Sequence, residues 1–187
     1  MAWSRSLFPS YSLRYVYKAD KLVTLHMAHS DNMSSLEEFE LGQESLAIFL
    51  EHFKKIASQC DEQLKQLLLQ SVDRFQNLWP KITKKIGFKK TNGDGQIVGS
   101  LLLMDHVDYQ MIECRDAVLV AWWGLDQNAL DMDEKRAIKV RWSELIRELS
   151  GGCRPTVALV HDINQVGQKF AKNMGFQLCG GSLRMEI

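Results

Sequence analysis

The chain has 187 residues, of which 45% are hydrophobic, so it can bury one substantial core and we expect a single domain over residues 1–187. Lysine and arginine together number 23, as do aspartate and glutamate, so the net charge is zero and no overall field would gather nucleic acid. No apolar run reaches the roughly 18 residues that span a bilayer, which argues against a membrane-spanning protein.

The cysteines indicate a reducing environment. Cys60, Cys114, Cys153 and Cys179 are widely spaced and form no CxxC pair, and no charged-then-apolar leader precedes them. This usage suits free thiols better than a secreted disulfide framework. We therefore expect a cytoplasmic protein.

The first half of the chain predicts a strand followed mainly by helices. LRYVYKAD (13–20) alternates apolar and polar residues as a strand does, and KLVTLHMAHSD (21–31) predicts a short helix. From residue 45 to residue 79 apolar residues recur at helical spacing, and Pro80 ends the pattern. These residues predict a helical hairpin over about 44–80, broken near 58–61.

The second half predicts most of the sheet. In IGFKKTNGDGQIVGSLLLM (86–104), Asn-Gly and Asp-Gly supply the positive φ angles of a tight hairpin. DAVLVAWWGL (116–125) is a nearly unbroken apolar run, as expected of a central strand buried on both faces. Residues 132–149 predict a helix that Gly151 and Gly152 close.

RPTVALV (154–160) predicts another buried strand, and HDINQVGQKFAKNMGF (161–176) predicts a polar loop, a short helix and a Gly-Phe stop. The C-terminal segment, LCGGSLRMEI (178–187), predicts a terminal strand or strand pair. The element order implies an α/β fold in which helices flank a mixed sheet.

The segment NQVGQKFAKNMGF (164–176), in this element order, resembles the GNAT superfamily of acyl-CoA-dependent N-acyltransferases. The resemblance rests on Asn164, Gly167, Phe170, Gly175 and Phe176, and it covers roughly residues 13–31 and 82–187. It implies that the helical hairpin is an enlarged region between the first and second strands. It also implies that Asn164 follows a strand that splays from its neighbour and opens a slot for the pantetheine arm of acetyl-CoA.

The resemblance further implies a site for the thioester. The strand amides near Trp122 and Trp123 would polarise the thioester carbonyl, and Gln127 would stand in the loop that binds the CoA pyrophosphate. This chain departs from the family in that loop, QNALDMDEK (127–135), where Leu130 and Met132 replace glycines. Asp131, Asp133 and Glu134 would also face the phosphates and compete for the helix N-terminus.

A second departure is Ala171, where many members carry the tyrosine that protonates the departing thiolate. A base for the incoming amine is predicted at His161, at the end of the fifth predicted strand, or at Glu113 or Asp116 before the central strand. Each of these three residues also has a structural interpretation, as a loop-end histidine or as solvated turn acids.

Two other sets of residues could form a zinc site or a reactive thiol. His26, His29 and Asp31 have spacing that could place zinc ligands on one helical face, but no third strong ligand is evident and a polar helix end is favoured over a metal site. Cys153 follows two glycines and precedes Arg154, yet no histidine is adjacent to activate the thiol. We therefore predict no metal site.

Two functions from different classes remain open. The first is a GNAT-like N-acyltransferase that uses acetyl-CoA or a related thioester and an unidentified amine acceptor. The second is a catalytically inactive GNAT-like scaffold that binds another protein or itself. Podophages encode similar short, degenerate GNAT-like internal virion proteins, so the second hypothesis includes a phage virion component.

Overall fold

The computed structural model describes residues 12–17, 35–109 and 114–178, and it has the predicted α/β fold with a mixed sheet flanked by helices. The strands are β1 (Ser12–Tyr17), β2 (Leu36–Glu40), β3 (Lys84–Lys90), β4 (Ile97–Tyr109), β5 (Cys114–Leu125), β6 (Thr156–His161) and β7 (Gln177–Leu178). The helices are α1 (Leu46–Ala57), α2 (Glu62–Leu69), α3 (Val72–Leu78), α4 (Met132–Ser150) and α5 (Gln165–Asn173).

The chain forms two compact units. The described residues of the first unit are 12–17, 104–109, 114–121 and 143–178, and those of the second unit are 35–103 and 122–142. The prediction of one domain over 1–187 stays a prediction. Within the described part of the chain, no helix combines the length and the apolar composition that crossing a membrane requires.

The sheet of the second unit follows the strand order β2-β3-β4-β5. β2 and β4 both pair with β3 in antiparallel fashion, and the predicted hairpin joins β3 to β4 through a turn in which Gly95 has φ +78°. The sequence analysis missed β2, whose five residues include three glutamates. Two of these glutamates form ion pairs. Glu38 accepts from Arg141 Nε at 2.7 Å, and Glu37 lies 3.2 Å from Lys89 Nζ.

The predicted helical hairpin was wrong in detail, because the segment forms three helices. The predicted break at 58–61 is present between α1 and α2, and Asp61 Oδ1 caps α2 by accepting from the Leu64 amide at 3.0 Å. A further break separates α2 from α3, where Ser71 Oγ donates to the Leu67 carbonyl at 3.2 Å. Such a side-chain bond competes with the helical ladder at that point.

An aromatic cluster forms the core of the second unit. Its neighbouring ring centroids are 4.8–6.4 Å apart, with tilted and edge-to-face contacts. Its members are Phe49, Phe53, Phe75, Trp79 and Trp122. Both indole N–H groups of the cluster have acceptors outside it, because Trp122 Nε1 donates to Ser100 Oγ and Trp79 Nε1 donates to the Gln43 carbonyl. The apolar residues whose helical spacing predicted the helices therefore pack α1 and α3 against β5.

The sheet of the first unit follows the order β4-β5-β6-β1-β7. β5 and β6 are parallel, whereas β1 is antiparallel to both β6 and β7. The predicted strands at 13–20, 116–125 and 154–160, the predicted helix at 132–149 and the short helix predicted within 161–176 are present within a few residues. The helix predicted at 21–31 and most of the C-terminal segment at 178–187 lie outside the described residues.

A buried histidine lies on α1 in the second unit. His52 is 4% exposed, and burial lowers its pKa from 6.5 to about 4. The carbonyls of Ile97 and Gly124 and the charge of Asp126 oppose this shift, and Lys55 adds to it. His52 is therefore neutral in the folded protein at neutral pH.

We predict that His52 makes the second unit sensitive to acid. The unfolded chain takes up a proton on this residue near pH 6.5, whereas the folded chain resists it until about pH 4. Folding stability therefore falls between these two pH values, by up to about 3 kcal/mol. Urea unfolding across this range should show the fall in the wild type and a weaker one in His52→Leu. Parallel curves for the two proteins would contradict the prediction.

Candidate functional site

The loop after β5 in the second unit is built around a buried carboxylate. Asp126 is 0% exposed, and its Oδ1 accepts from Gln59 Nε2 at 2.8 Å and from the amides of Asn128 and Ala129 at 3.0 and 3.1 Å. Lys55 Nζ lies 2.9 Å from Oδ2. Burial alone would raise the pKa of Asp126, but the bonds from Lys55, Gln59 and the two amides hold it below the ordinary value.

The next residue of this loop, Gln127, is also held through its backbone. Its amide donates to Gln59 Oε1 at 3.0 Å, and its carbonyl accepts from Lys135 Nζ at 2.9 Å. The Gln127 side chain, which the sequence analysis placed at the cofactor, is exposed. Three successive loop amides, those of residues 127–129, therefore donate to side chains of the protein itself.

The N-terminus of α4 is closed by a reciprocal capping box. The Glu134 amide donates to Asp131 Oδ1 at 2.8 Å, and the Asp131 amide donates to Glu134 Oε2 at 2.9 Å. Glu134 is 5% exposed and also binds Lys90 Nζ at 3.1 Å and Ser35 Oγ at 3.1 Å. Two of the three acids expected to face a phosphate, Asp131 and Glu134, therefore accept from amides of their own loop and helix, while Asp133 is exposed.

The corner between β6 and α5 in the first unit is built on Asn164. This residue caps α5, because its Oδ1 accepts from the Gly167 amide at 2.7 Å. Among the described residues, no hydrogen bond engages Asn164 Nδ2. The side chain is thus fixed by its oxygen while its two N–H donors are left for another partner.

Two glycines fix the ends of this helix. A Cβ at Gly167 would lie 2.6 Å from Asn164 Nδ2 and 2.9 Å from Val160 Cγ1, so a side chain there would displace the capping residue. At the other end, Gly175 has φ +87°, and the Phe176 amide donates to the Ala171 carbonyl in a Schellman-type stop. These contacts explain the small residue and the Gly-Phe stop of the sequence pattern.

The parallel pairing that precedes this corner is short. Val118, Leu119 and Val120 of β5 pair with Thr156, Val157 and Ala158 of β6. Both strands continue beyond the last pair, to Leu125 in β5 and to His161 in β6. Within the first unit, residues 159–161 of β6 therefore extend beyond its pairing with β5.

His161 ends β6, and its side chain is oriented by the adjacent residue. Its Nδ1 lies 2.8 Å from Asp162 Oδ1, which also accepts from the Ile163 amide at 2.9 Å. Burial lowers the pKa of His161, and the Asp162 charge raises it in part. Nδ1 also accepts from the Ile163 amide at 3.3 Å, so a carboxylate and an N–H donor both face this nitrogen.

The other residues predicted for the active site or for a metal lie in different parts of the fold. Ala171 is fully buried on α5, so its methyl group belongs to the core of the first unit. Trp122 belongs to the aromatic cluster, and Trp123 is half-buried on β5. Glu113 lies outside the described residues, as do His26, His29 and Asp31. In the part that is described, no three potential ligands are grouped to hold a metal ion.

Asp116 and Cys153 have other surroundings than those expected. Asp116 Oδ1 lies 2.6 Å from His106 Nδ1, and both residues have positive φ, +53° and +52°. Arg154 donates to Asp105 and to the Leu149 carbonyl. The guanidinium next to Cys153 is therefore engaged with a carboxylate and a helix end, which weakens the hypothesis of an activated thiol.

Sequence reasoning missed Lys55, Gln59, Asp126 and Asp162. Lys55 lies in the last turn of α1, and Gln59 follows four positions later in the turn after the helix, whereas the apolar spacing of the segment drew attention to its other residues. Their partner is 67 residues from Gln59 along the chain. Asp162 is adjacent to His161, and this His-Asp pair was visible in the sequence.

Comparisons with known proteins place this fold. No family model and no curated protein matches the chain. Among solved structures, ribosomal-protein-alanine N-acetyltransferase from Brucella melitensis biovar Abortus 2308 is similar over 82% of this chain and 99% of that one, with 13% identity and a TM-score of 0.54. PaiA N-acetyltransferase from Thermoplasma acidophilum, solved with coenzyme A, is similar over 74% and 87%, with 14% identity and a TM-score of 0.50.

A functionally unknown conserved protein from Staphylococcus epidermidis ATCC 12228 is also similar, with 11% identity and a TM-score of 0.53. The match covers 91% of this chain but only 58% of that one. At these identities the likeness concerns the fold. The chain has the fold of the GNAT acetyltransferases, as its sequence resemblance predicted.

We predict that the oxygen of Asn164 stabilises the β6–α5 corner by capping alone. Asn164→Ala should lower the free energy of unfolding by about 1 kcal/mol, whereas Asn164→Asp keeps a capping oxygen and should stay within about 0.5 kcal/mol of the wild type. Urea denaturation measures both changes. Val166→Ala is the control on the same helix, since Val166 is 75% exposed and the change should be small. Equal losses in both Asn164 variants would contradict this account.

Proposed function

We propose that the protein is an N-acyltransferase that moves an acyl group from acetyl-CoA or a related thioester to an amine. The observation that carries the proposal is Asn164, whose oxygen is fixed by the helix cap while its Nδ2 faces no partner in the described chain. An amide donor held at this corner suits the carbonyl groups of a pantetheine arm. The short β5–β6 pairing supports the proposal, because unpaired strand ends can bind those amides.

The proposed reaction joins the amine nitrogen to the thioester carbonyl carbon and breaks the carbon–sulfur bond. His161 is the proposed base that accepts the proton from the amine, and Glu113 is the alternative base. The strand amides near Trp122 and Trp123 are proposed to stabilise the oxyanion, and the exposed Gln127 side chain is a proposed contact to the donor. Since residue 171 is a buried alanine, the departing thiolate takes its proton from solvent.

A second candidate function is supported by the loop after β5. Its amides at residues 127–129, and those of Asp131 and Glu134 at the start of α4, donate to internal groups, as in a scaffold that has lost its cofactor. In this case the protein would bind another protein or a second copy of itself, for example as a component of a phage particle. Sizing with light scattering, together with acetyl-CoA turnover, separates the two functions.

Calorimetry with acetyl-CoA and desulfo-CoA tests the first proposal. We expect wild-type binding that Asn164→Asp weakens about two- to tenfold, which is the contribution of one neutral hydrogen bond. The aspartate retains the helix cap, so the loss would report the missing N–H donors. Gln127→Ala tests the predicted contact of that side chain, since its main-chain bonds survive the change. Absence of binding to the folded wild type at millimolar ligand would exclude the proposal.

The pH dependence of turnover tests His161. Because burial lowers its pKa, the base form is present at neutral pH, and the rate should fall as the pH drops through that lowered value. Asp162→Asn removes the charge that raises this pKa, so the acid limb of the profile should move to lower pH. His161→Gln should reduce kcat by about two to four orders of magnitude. A profile that Asp162→Asn leaves unchanged would assign the base to another group.

A further inference from the structure

We propose that Asp126 takes the place of a donor phosphate, so that the thioester is recognised by its acyl-pantetheine part and the nucleotide diphosphate contributes nothing to binding. This inference rests on the proposed acyltransferase function and narrows its substrate class. It is carried by the contacts of the loop between β5 and α4.

This loop is where a phosphate would be expected on physical grounds. Ligands of open α/β sheets bind beyond the carboxyl ends of the strands, and successive amides that lead into a helix N-terminus form an anion site. Here the amides of Asn128 and Ala129 converge on Asp126 Oδ1, with Gln59 Nε2 as a third donor. Lys55 supplies the cation at Oδ2. An internal carboxylate thus receives the donors that would hold a phosphate oxygen.

A diphosphate cannot share these donors with Asp126. The carboxylate is fully buried and ionised, so displacing it would leave a buried charge without its partners. At the start of α4, the amides of Asp131 and Glu134 are likewise bonded to each other's side chains. The exposed acid Asp133 in the first turn of α4 adds repulsion.

The donor class that fits is a thioester of pantetheine without a nucleotide. For its amides, such an acyl donor needs only N–H groups and unpaired strand groups. The β6–α5 corner of the first unit supplies N–H groups through Asn164. The main chain of the loop then has a structural role, in which Lys55 of α1 and Gln59 in the turn after α1 hold the chain that leaves β5.

Calorimetry with CoA, pantetheine and ADP on the folded wild-type chain tests the inference. We expect Kd values for CoA and pantetheine within threefold of each other and no ADP binding at millimolar concentration. If CoA binds tenfold more tightly than pantetheine, or if ADP binds, the inference is overturned while the acyltransferase proposal stands. If neither CoA nor pantetheine binds, the proposed function itself fails, and the inference fails with it.

A matched pair of variants tests the role of Asp126. Asp126→Asn removes the internal anion with little change in shape, and Asp133→Asn removes one exposed charge nearby without touching the loop amides. We expect Asp126→Asn to tighten CoA binding at least threefold with no change for pantetheine, and Asp133→Asn to change neither. An equal gain in both variants would reduce the effect to general charge and overturn the assignment. If Asp126→Asn fails to fold by circular dichroism, the wild-type comparison decides.

Discussion

The buried carboxylate of Asp126 is the constraint on which the second unit depends. An ionised group without solvent costs several kcal/mol unless its partners are complete, so Lys55, Gln59 and two loop amides must all be in place. This requirement fixes one face of α1 against the chain leaving β5. The same helix carries Phe49 and Phe53 into the aromatic cluster, so the polar and apolar faces of α1 lock the same register.

Glu134 has the corresponding role at the start of α4. Its carboxylate caps the helix, pairs with Lys90 of β3 and accepts from Ser35 beside β2. A negative group at a helix N-terminus is favourable because it meets the positive end of the helix dipole. In this protein that favourable position is filled by the Glu134 side chain, which stabilises the start of α4.

The sequence predicted the elements whose signals are local. The Asn-Gly-Asp-Gly turn, the apolar run of β5 and the Asn164 to Gly175 helix each depend on residues within one segment. β2 was missed because a glutamate-rich strand is stabilised by partners on β3 and α4, which no local pattern reveals. The break between α2 and α3 was missed because the apolar spacing continues across it.

The candidate site was likewise predictable only where its residues are close in the sequence. Asn164 and Gly167 lie three residues apart, so their relation is visible in the sequence, and the structure gives it a physical cause in the helix cap. The pairing of Gln59 with Asp126 joins residues 67 positions apart, and only the fold brings them together. Sequence reasoning could therefore identify the unusual acids near α4. It could not show that the loop amides of residues 127–129 donate to side chains of the protein.

The two corners distribute their hydrogen-bond donors in opposite ways. At the β6–α5 corner, the cap uses the oxygen of Asn164 and leaves an amide nitrogen for a partner outside the described chain. At the β5–α4 corner, every amide from residue 127 to residue 129 donates to a side chain of the protein. A ligand gains little from donors that must first abandon a buried carboxylate, and this is why the proposed acyl donor is one recognised by its amide and thioester groups. A shared fold therefore fixes where a ligand can lie, while the allocation of donors decides which part of it is recognised.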